Sequence, residues 1–148
     1  REFSLDDYDT VYALWQKAGA GIGISRSDTR EEIAKKLQRD PDLFLVAEDE
    51  ACEALGDFAS LGSRKIIGTV IGGYDGRRGI IYHLAVEQAY RRNGVGKMLM
   101  EQVEKRLAAK GCLKSYLLIM PENIEVVEFY RELGWETMNL TLMGKTLA

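Results

Sequence analysis

Histidine, cysteine and proline are scarce in this chain: one, two and two among 148 residues. Cys52 and Cys112 are too few for a disulfide framework and form no Cys-x-x-Cys pair. With His83 as the sole histidine, the ligands of a usual zinc site are missing, and no metal is expected. Such sparse cysteine makes a reducing cytoplasm the simplest expectation. Surplus basic charge is also lacking, since 20 Lys and Arg face 23 Asp and Glu for a net charge of −3. Nonspecific nucleic-acid binding needs a basic face. The seven tyrosines and two tryptophans show no interleaving with cations that would suggest stacking on bases. No nucleic-acid partner is expected, whereas a cationic amine suits the acidic balance. No apolar run approaches the ~20 residues that cross a bilayer, so no membrane partner is expected either. No signal-peptide pattern is visible, but the chain opens on Arg1 rather than Met, which leaves targeting open.

What is present fits a single domain over residues 1–148, with one core. An apolar fraction of 46% can bury enough surface to offset chain entropy, which argues against disorder. Repeats, low-complexity tracts and linkers are absent from the sequence.

Ser4 and Asp7 have the spacing of a capping box, followed by Tyr8, Val11, Tyr12, Trp15 and Ala18 at helical intervals. Gly19, Gly21 and Gly23 end that helix. A second helix is expected from Ser27 or Asp28, with Ile33 and Leu37 inward, and Asp40-Pro41 stops it. Leu43 to Ala47 and Ile66 to Tyr74 read as strands. The turn signal Asp75-Gly76 joins the latter to a third strand, Ile80 to Val86, as a hairpin. Asp49 to Lys65 reads as a surface loop. A helix follows from Gly94 to Lys110, closed by Gly111, then a strand from Tyr116 to Met120. Asn123 is expected to cap a helix that ends at Gly134. Trp135 to Leu147 would supply one or two closing strands. The fold class is α/β: a mixed, mostly antiparallel sheet flanked by about four helices.

The most informative segment is Arg91-Arg92-Asn93-Gly94-Val95-Gly96-Lys97, between a strand and a helix. Glycines let backbone approach a ligand closely, and the first N–H groups of a helix have no internal partner. Cations at the positive end of a helix dipole are unfavourable by roughly 0.3–1 kcal/mol each. Arg91, Arg92 and Lys97 together therefore make sense if a polyanion such as a pyrophosphate completes the site. A solvated basic loop with two ordinary glycines is the bland alternative, and local sequence does not separate the two. A P-loop would need Gly at Arg91 and Ser or Thr at Met98, and a dinucleotide fingerprint would need Gly at Leu99.

The R-x-x-G-x-G of Arg91 to Gly96, after the strand Tyr82-His83-Leu84-Ala85-Val86, resembles the coenzyme-A motif of the GNAT superfamily of N-acetyltransferases. Asn123 with Phe129-Tyr130-Arg131-Glu132-Leu133-Gly134-Trp135 is similar to the family's second signature helix. The opening helix and Ile67-Gly68-Thr69-Val70 match its order, and only the Asp49 to Lys65 loop falls outside the resemblance. Within the family the pattern is most similar to bacterial members resembling ribosomal-protein-alanine acetyltransferases. The resemblance implies a GNAT-like fold and acetyl transfer from acetyl-coenzyme A to a primary amine: a protein N-terminus, a lysine or a small amine. It implies that the amides of Arg91, Arg92, Asn93, Gly94, Val95 and Gly96, beside Lys97, hold the pyrophosphate. Main-chain groups of Leu84, Ala85 and Val86 would pair with the pantetheine arm, Asn123 would touch the pantetheine or acyl end, and Tyr130 would sit near the sulfur.

Tyr130 is then the candidate general acid for the departing thiolate, against its reading as a core aromatic. No acid stands on the strands where many family members carry a glutamate, which leaves His83, Glu122 or a water as the base. Histidine has a suitable intrinsic pKa. Strand alternation, however, puts Tyr82 and Leu84 on one face and His83 on the other unless a bulge intervenes, and lone strand histidines are commonly structural. His83 is therefore expected not to be essential as a base. Cys112 reads as structural. The rival from another class is a coenzyme-A-binding regulatory module without turnover; a nucleotide-binding domain is more remote. Nothing in the sequence encodes oligomeric state, and a homodimer is admitted.

Overall fold

A computed structural model describes residues 1–50 and 64–147. The surface loop expected from Asp49 to Lys65 falls mainly on residues 51–63 and lies outside the described residues, as does Cys52.

The first capping box forms: Ser4 N–H donates to Asp7 Oδ2 at 2.8 Å, and Ser4 Oγ accepts from the Asp6 amide. It opens a 3-10 turn, Leu5–Asp7, that runs into helix α1, Tyr8–Lys17, whose buried stripe is Val11, Leu14 and Trp15. A second box, Ser25 with Asp28, starts only another 3-10 turn, Arg26–Asp28. Helix α2, Arg30–Arg39, begins later than expected and under a Thr29 cap. Ser27 and Asp28 stay outside it because the Asp28 carboxylate turns back to the Ser25 amide.

Four strands follow: β1 (Phe44–Asp49), β2 (Lys65–Tyr74), β3 (Gly79–Val86) and β4 (Ser115–Leu117), adjacent in that order. The β1–β2 and β2–β3 pairs are antiparallel, and β3–β4 is parallel. Asp75 Oδ1 fixes the β2–β3 hairpin turn by accepting from the Arg77 and Arg78 amides at 2.7 and 2.6 Å. A parallel pair needs a crossover, and helix α3, Val95–Ala109, supplies it. Helix α4, Val127–Glu132, comes after β4.

Side chains alternate along β1 and split the core into two layers. Phe44 and Val46 pack with Val11, Trp15 and Ile33 of α1 and α2, while Leu45 and Ala47 pack with Leu99, Val103 and Leu107 of α3. Helix α3 lies very close to β2. A Cβ at Gly72 would stand 2.7 Å from Val103 Cγ2, and one at Gly68 would stand 3.0 Å from Leu99 Cδ1. Among the described residues no helix is long and apolar enough to cross a membrane.

The C-terminal third departs from the sequence expectation. Strand β4 ends at Leu117 rather than Met120. Asn123 does not cap a helix: Pro121 starts a 3-10 turn, Pro121–Val126, two residues earlier, and Asn123 sits inside it at φ −112 and ψ 27. No strand forms over 135–147. Trp135 is anchored, its Nε1–H donating to Glu104 Oε1 at 2.8 Å, but beyond it Leu140, Leu142 and Met143 are exposed. A three-residue β4 offers little free backbone for another strand to pair with.

Candidate active site

The site arises where β3 and β4 part. They pair only from Gly79↔Ser115 to Ile81↔Leu117. Past that point β3 continues to Val86 with no strand paired on its β4 side among the described residues. Glu87 N–H donates to Ile67 O on β2. Alternation back from Glu87 turns the main-chain groups of Val86 and Leu84 away from β2, toward the gap, and those of Ala85 toward its partner Thr69. The Val86 carbonyl confirms this direction by accepting from Arg91 Nε at 3.0 Å.

The gap is a cavity of about 590 Å³. One wall is β3, and the opposite wall is Leu117 to Met120 with Asn123, Phe129 and Tyr130. Its lining also includes Arg91, Arg92, Gly94, Gly96 and Lys97 of the α3 start, and Ala18, Gly21 and Ile22 after α1.

At the Arg91 end the chain makes two left-handed steps, Arg92 at φ 63 and Gly94 at φ 80. Gly94 is the N-cap of α3 and provides no side-chain cap, so the first α3 amides are left open toward the cavity mouth. Gly96 keeps this wall low, since a Cβ there would touch Phe129 Cζ at 3.4 Å. Arg91, Arg92 and Lys97 are exposed, and among the described residues only Lys97 has a carboxylate nearby, Glu101 at 3.8 Å. Open amides, a positive dipole end and three cations are the groups that could hold an anion.

Tyr130 projects from α4, packed edge-on against Phe129 and Trp135 at 5.1 and 6.4 Å. Burial pushes its hydroxyl up to about 12, so the phenol holds its proton at neutral pH. Leu84, Ala85, Val86, Asn123 and Tyr130 therefore share one cavity with Arg91, Arg92, Gly94, Gly96 and Lys97. Asn93 is exposed and does not line it, and Val95 is buried beneath α3 in the core. Glu122 is exposed outside the lining. Among the described residues no group of three or more His, Cys, Asp or Glu side chains is placed to hold a metal.

His83 does line the cavity, and strict alternation fails there. Tyr82 packs with the α1 layer and Leu84 with the α3 layer, because β3 carries an extra residue between its pairs with Ile71 and Thr69. His83 Nε2 lies 2.8 Å from Asp28 Oδ1. Sequence reasoning does not connect these two residues; it takes Asp28 only as one possible start of the second helix.

The profile of the Acetyltransferase (GNAT) family matches residues 9–135. The chain belongs to the GNAT acetyltransferase family. It is thus an acyl-coenzyme-A-dependent N-acetyltransferase. An acetyltransferase of Pectobacterium atrosepticum is 36% identical over 147 residues, 99% of this chain and 94% of that protein. Among solved structures, Ard1 of Thermoplasma volcanium superposes with a TM-score of 0.70 at 24% identity, over 90% of this GNAT chain and 79% of that one. The PaiA N-acetyltransferase of Thermoplasma acidophilum, solved with coenzyme A, gives a TM-score of 0.71 at 18% identity, over 95% and 91% of the two chains.

Proposed function

We propose that this GNAT protein moves an acetyl group from acetyl-coenzyme A to a primary amine, and that both meet in the cavity between β3 and β4. The observation that carries the proposal is the parting of those strands beside an uncapped α3. It leaves the main chain of Leu84 and the Val86 amide open along an apolar slot that ends at the cationic start of α3. A long arm ending in a pyrophosphate fits that shape and charge, and the PaiA protein's complex with coenzyme A supports the assignment by likeness of fold.

Acetyl-coenzyme A supplies a thioester carbonyl and a thiol leaving group. The α3 amides with Arg92 and Lys97 hold the pyrophosphate, and Arg91 braces the loop through Val86 O. The β3 backbone aligns the arm, and an amide on that strand donates to the carbonyl oxygen as negative charge builds on it. Tyr130, kept neutral by burial, gives a proton to the departing sulfur. Asn123 packs directly against Gly21 on the cavity lining, its Nδ2 3.0 Å from where a Gly21 Cβ would stand, and bounds the acyl end.

The acceptor enters beside Ala18, Gly21 and Ile22, where the opening is mostly apolar. The test incubates the protein with acetyl-coenzyme A and a panel of amines: an alanyl peptide, a lysine-containing peptide with a blocked N-terminus, spermidine and 2-phenylethylamine. Thiol release with one acetyl group added to an amine, read by mass spectrometry, is the expected result. Tight coenzyme-A binding with no acetylated amine would instead favour a regulatory binding module.

A further inference from the structure

One residue on the cavity wall has a chemical outfit that the acetyl-transfer scheme leaves unused. The β2–β3 ladder takes two steps on β2, from Ile71 to Thr69, against three on β3, from Tyr82 to Ala85. The inserted residue places His83 at φ 53, in the left-handed region. A non-glycine residue held there is strained, and such positions persist where the surroundings over-determine them.

The surroundings of His83 do so. Trp15 packs edge-on against the imidazole with centroids 4.7 Å apart, and Tyr82 does so at 5.5 Å. Trp15 Nε1–H donates to Thr69 Oγ1 at 3.0 Å, and Thr69 Oγ1–H donates to His83 O at 3.1 Å. On the ring itself, Nε2 meets Asp28 Oδ1 at 2.8 Å, with only 5% of the Asp28 side chain accessible. Asp28 is fixed in turn. Its Oδ2 accepts from Ser25 N and Ser25 Oγ at 2.7 and 3.1 Å, and its carbonyl accepts from Tyr8 OH at 2.8 Å.

A buried carboxylate facing Nε2 selects the tautomer with the proton on Nε2 and leaves a lone pair on Nδ1. Nδ1 has no hydrogen-bond partner among the described residues. The titratable groups around the ring are few. Asp28 comes from the turn before α2, Tyr82 from β3 and Tyr8 from α1 by way of Asp28, while the β2 neighbours Thr69 and Val70 carry none. Across the cavity stands Tyr130. Burial, aided by the charges of Asp40 and Asp28, pushes the Tyr82 hydroxyl up to about 12, so it does not compete for protons at neutral pH.

We propose that His83 Nδ1 takes the proton of the acceptor amine during acetyl transfer, with Asp28 as the positioning residue that fixes its tautomer. This rests on the transfer reading above. The amine nitrogen bonds to the carbonyl carbon, and the carbon–sulfur bond breaks. One proton passes from that nitrogen to His83 Nδ1, and one from the Tyr130 hydroxyl to the sulfur. The imidazolium then releases its proton to water, and the Tyr130 phenolate regains one from water, so the products are amide and thiol.

The experiment uses the full chain and the four-amine panel, and compares wild type with His83→Gln, Asp28→Asn and His83→Ala, each checked by thermal unfolding and by coenzyme-A calorimetry. Expected is a fall in kcat of about 10²-fold or more for His83→Gln, a smaller fall for Asp28→Asn, and coenzyme-A affinity within about threefold of wild type. The acidic limb of the kcat/KM profile should vanish in His83→Gln, and added imidazole should restore turnover to His83→Ala. A purely structural histidine would give neither change. Because the chain has one histidine, nitrogen NMR of histidine-labelled wild type reads this ring alone, even where a variant fails to fold. The inference expects the Nε2–H tautomer, and a proton on Nδ1 overturns it. Folded His83→Gln with turnover within about threefold of wild type and an intact acidic limb also overturns it, leaving the transfer reading standing. Wild type that binds coenzyme A but releases no thiol with any amine overturns both.

Discussion

Replacing Tyr130 by phenylalanine separates chemistry from packing, because the ring contacts with Phe129 and Trp135 survive and only the hydroxyl is removed. If that hydroxyl protonates the leaving sulfur, turnover should fall by about 10²–10⁴ while coenzyme-A affinity is unchanged. The same substitution has a signature that does not depend on catalysis. Burial raises the phenol from 10.0 in an open chain to about 12 in the fold. The neutral form is thus favoured by folding. This contribution is complete below about pH 10 and is lost as pH climbs toward 12. With those two values, the loss between neutral pH and about pH 11 is roughly 1.4 kcal/mol. Tyr82, also raised to about 12 chiefly by burial, adds a similar amount. Tyr130→Phe should therefore remove about half of the alkaline destabilisation from these two groups, or about 4 °C of the Tm fall for a chain of this size. Thiol-release kinetics, calorimetry, and thermal melts at neutral pH and about pH 11 measure all three quantities. Turnover within about threefold of wild type, in a variant that has lost its share of alkaline sensitivity, would refute the acid role and leave Tyr130 as a packing residue.

Two further substitutions test the frame that positions the site. Gly72→Ala drives a methyl to 2.7 Å from Val103 Cγ2 and should cost about 1–3 kcal/mol in denaturant unfolding. Val103→Ala should recover part of that cost, and simple additivity of the two changes would contradict the close helix–sheet contact. Trp15→Phe removes the donor to Thr69 Oγ1 in a fully buried setting and should destabilise by about 1–3 kcal/mol. The cost should shrink in a Thr69→Val background, and an unchanged cost would mean that the hydrogen bond contributes nothing.

Most of the frame was legible because it is local. Ser4 and Asp7, the apolar spacing of Val11 and Trp15 and the Asp75-Gly76 turn each carry their own signal, and each forms where its signal lies. Of the face expected on α3 from Val95, Met98, Leu99, Val103 and Leu107, all but Met98 are buried. The Arg91 to Lys97 loop was legible for the same reason, since the glycine at the helix start and the flanking cations are contiguous. What escaped depends on pairing between distant segments. The extra residue in β3 exists only relative to β2, so nothing near His83 in sequence reveals that Tyr82 and His83 turn to the same layer. Asp28 and His83 are 55 residues apart. The expected strands from Trp135 to Leu147 failed for a related reason: an alternating apolar pattern needs a neighbouring strand edge, and β4 ends at Leu117.

The most direct test of the central claim is calorimetric titration of coenzyme A into wild type and Gly94→Asp. Gly94 stands at φ 80 beside the open α3 amides with nothing within 4 Å of a Cβ, so an aspartate there adds a negative charge at the α3 start without a clash. Wild type should bind, with affinity falling as salt rises because the contact is charged. Gly94→Asp should remain folded and lose at least about 10²-fold in affinity, as expected for leaving charged partners unsatisfied by roughly 3 kcal/mol. A folded Gly94→Asp protein that binds coenzyme A as tightly as wild type would contradict the placement of the pyrophosphate at α3, and with it the account of the cavity between β3 and β4.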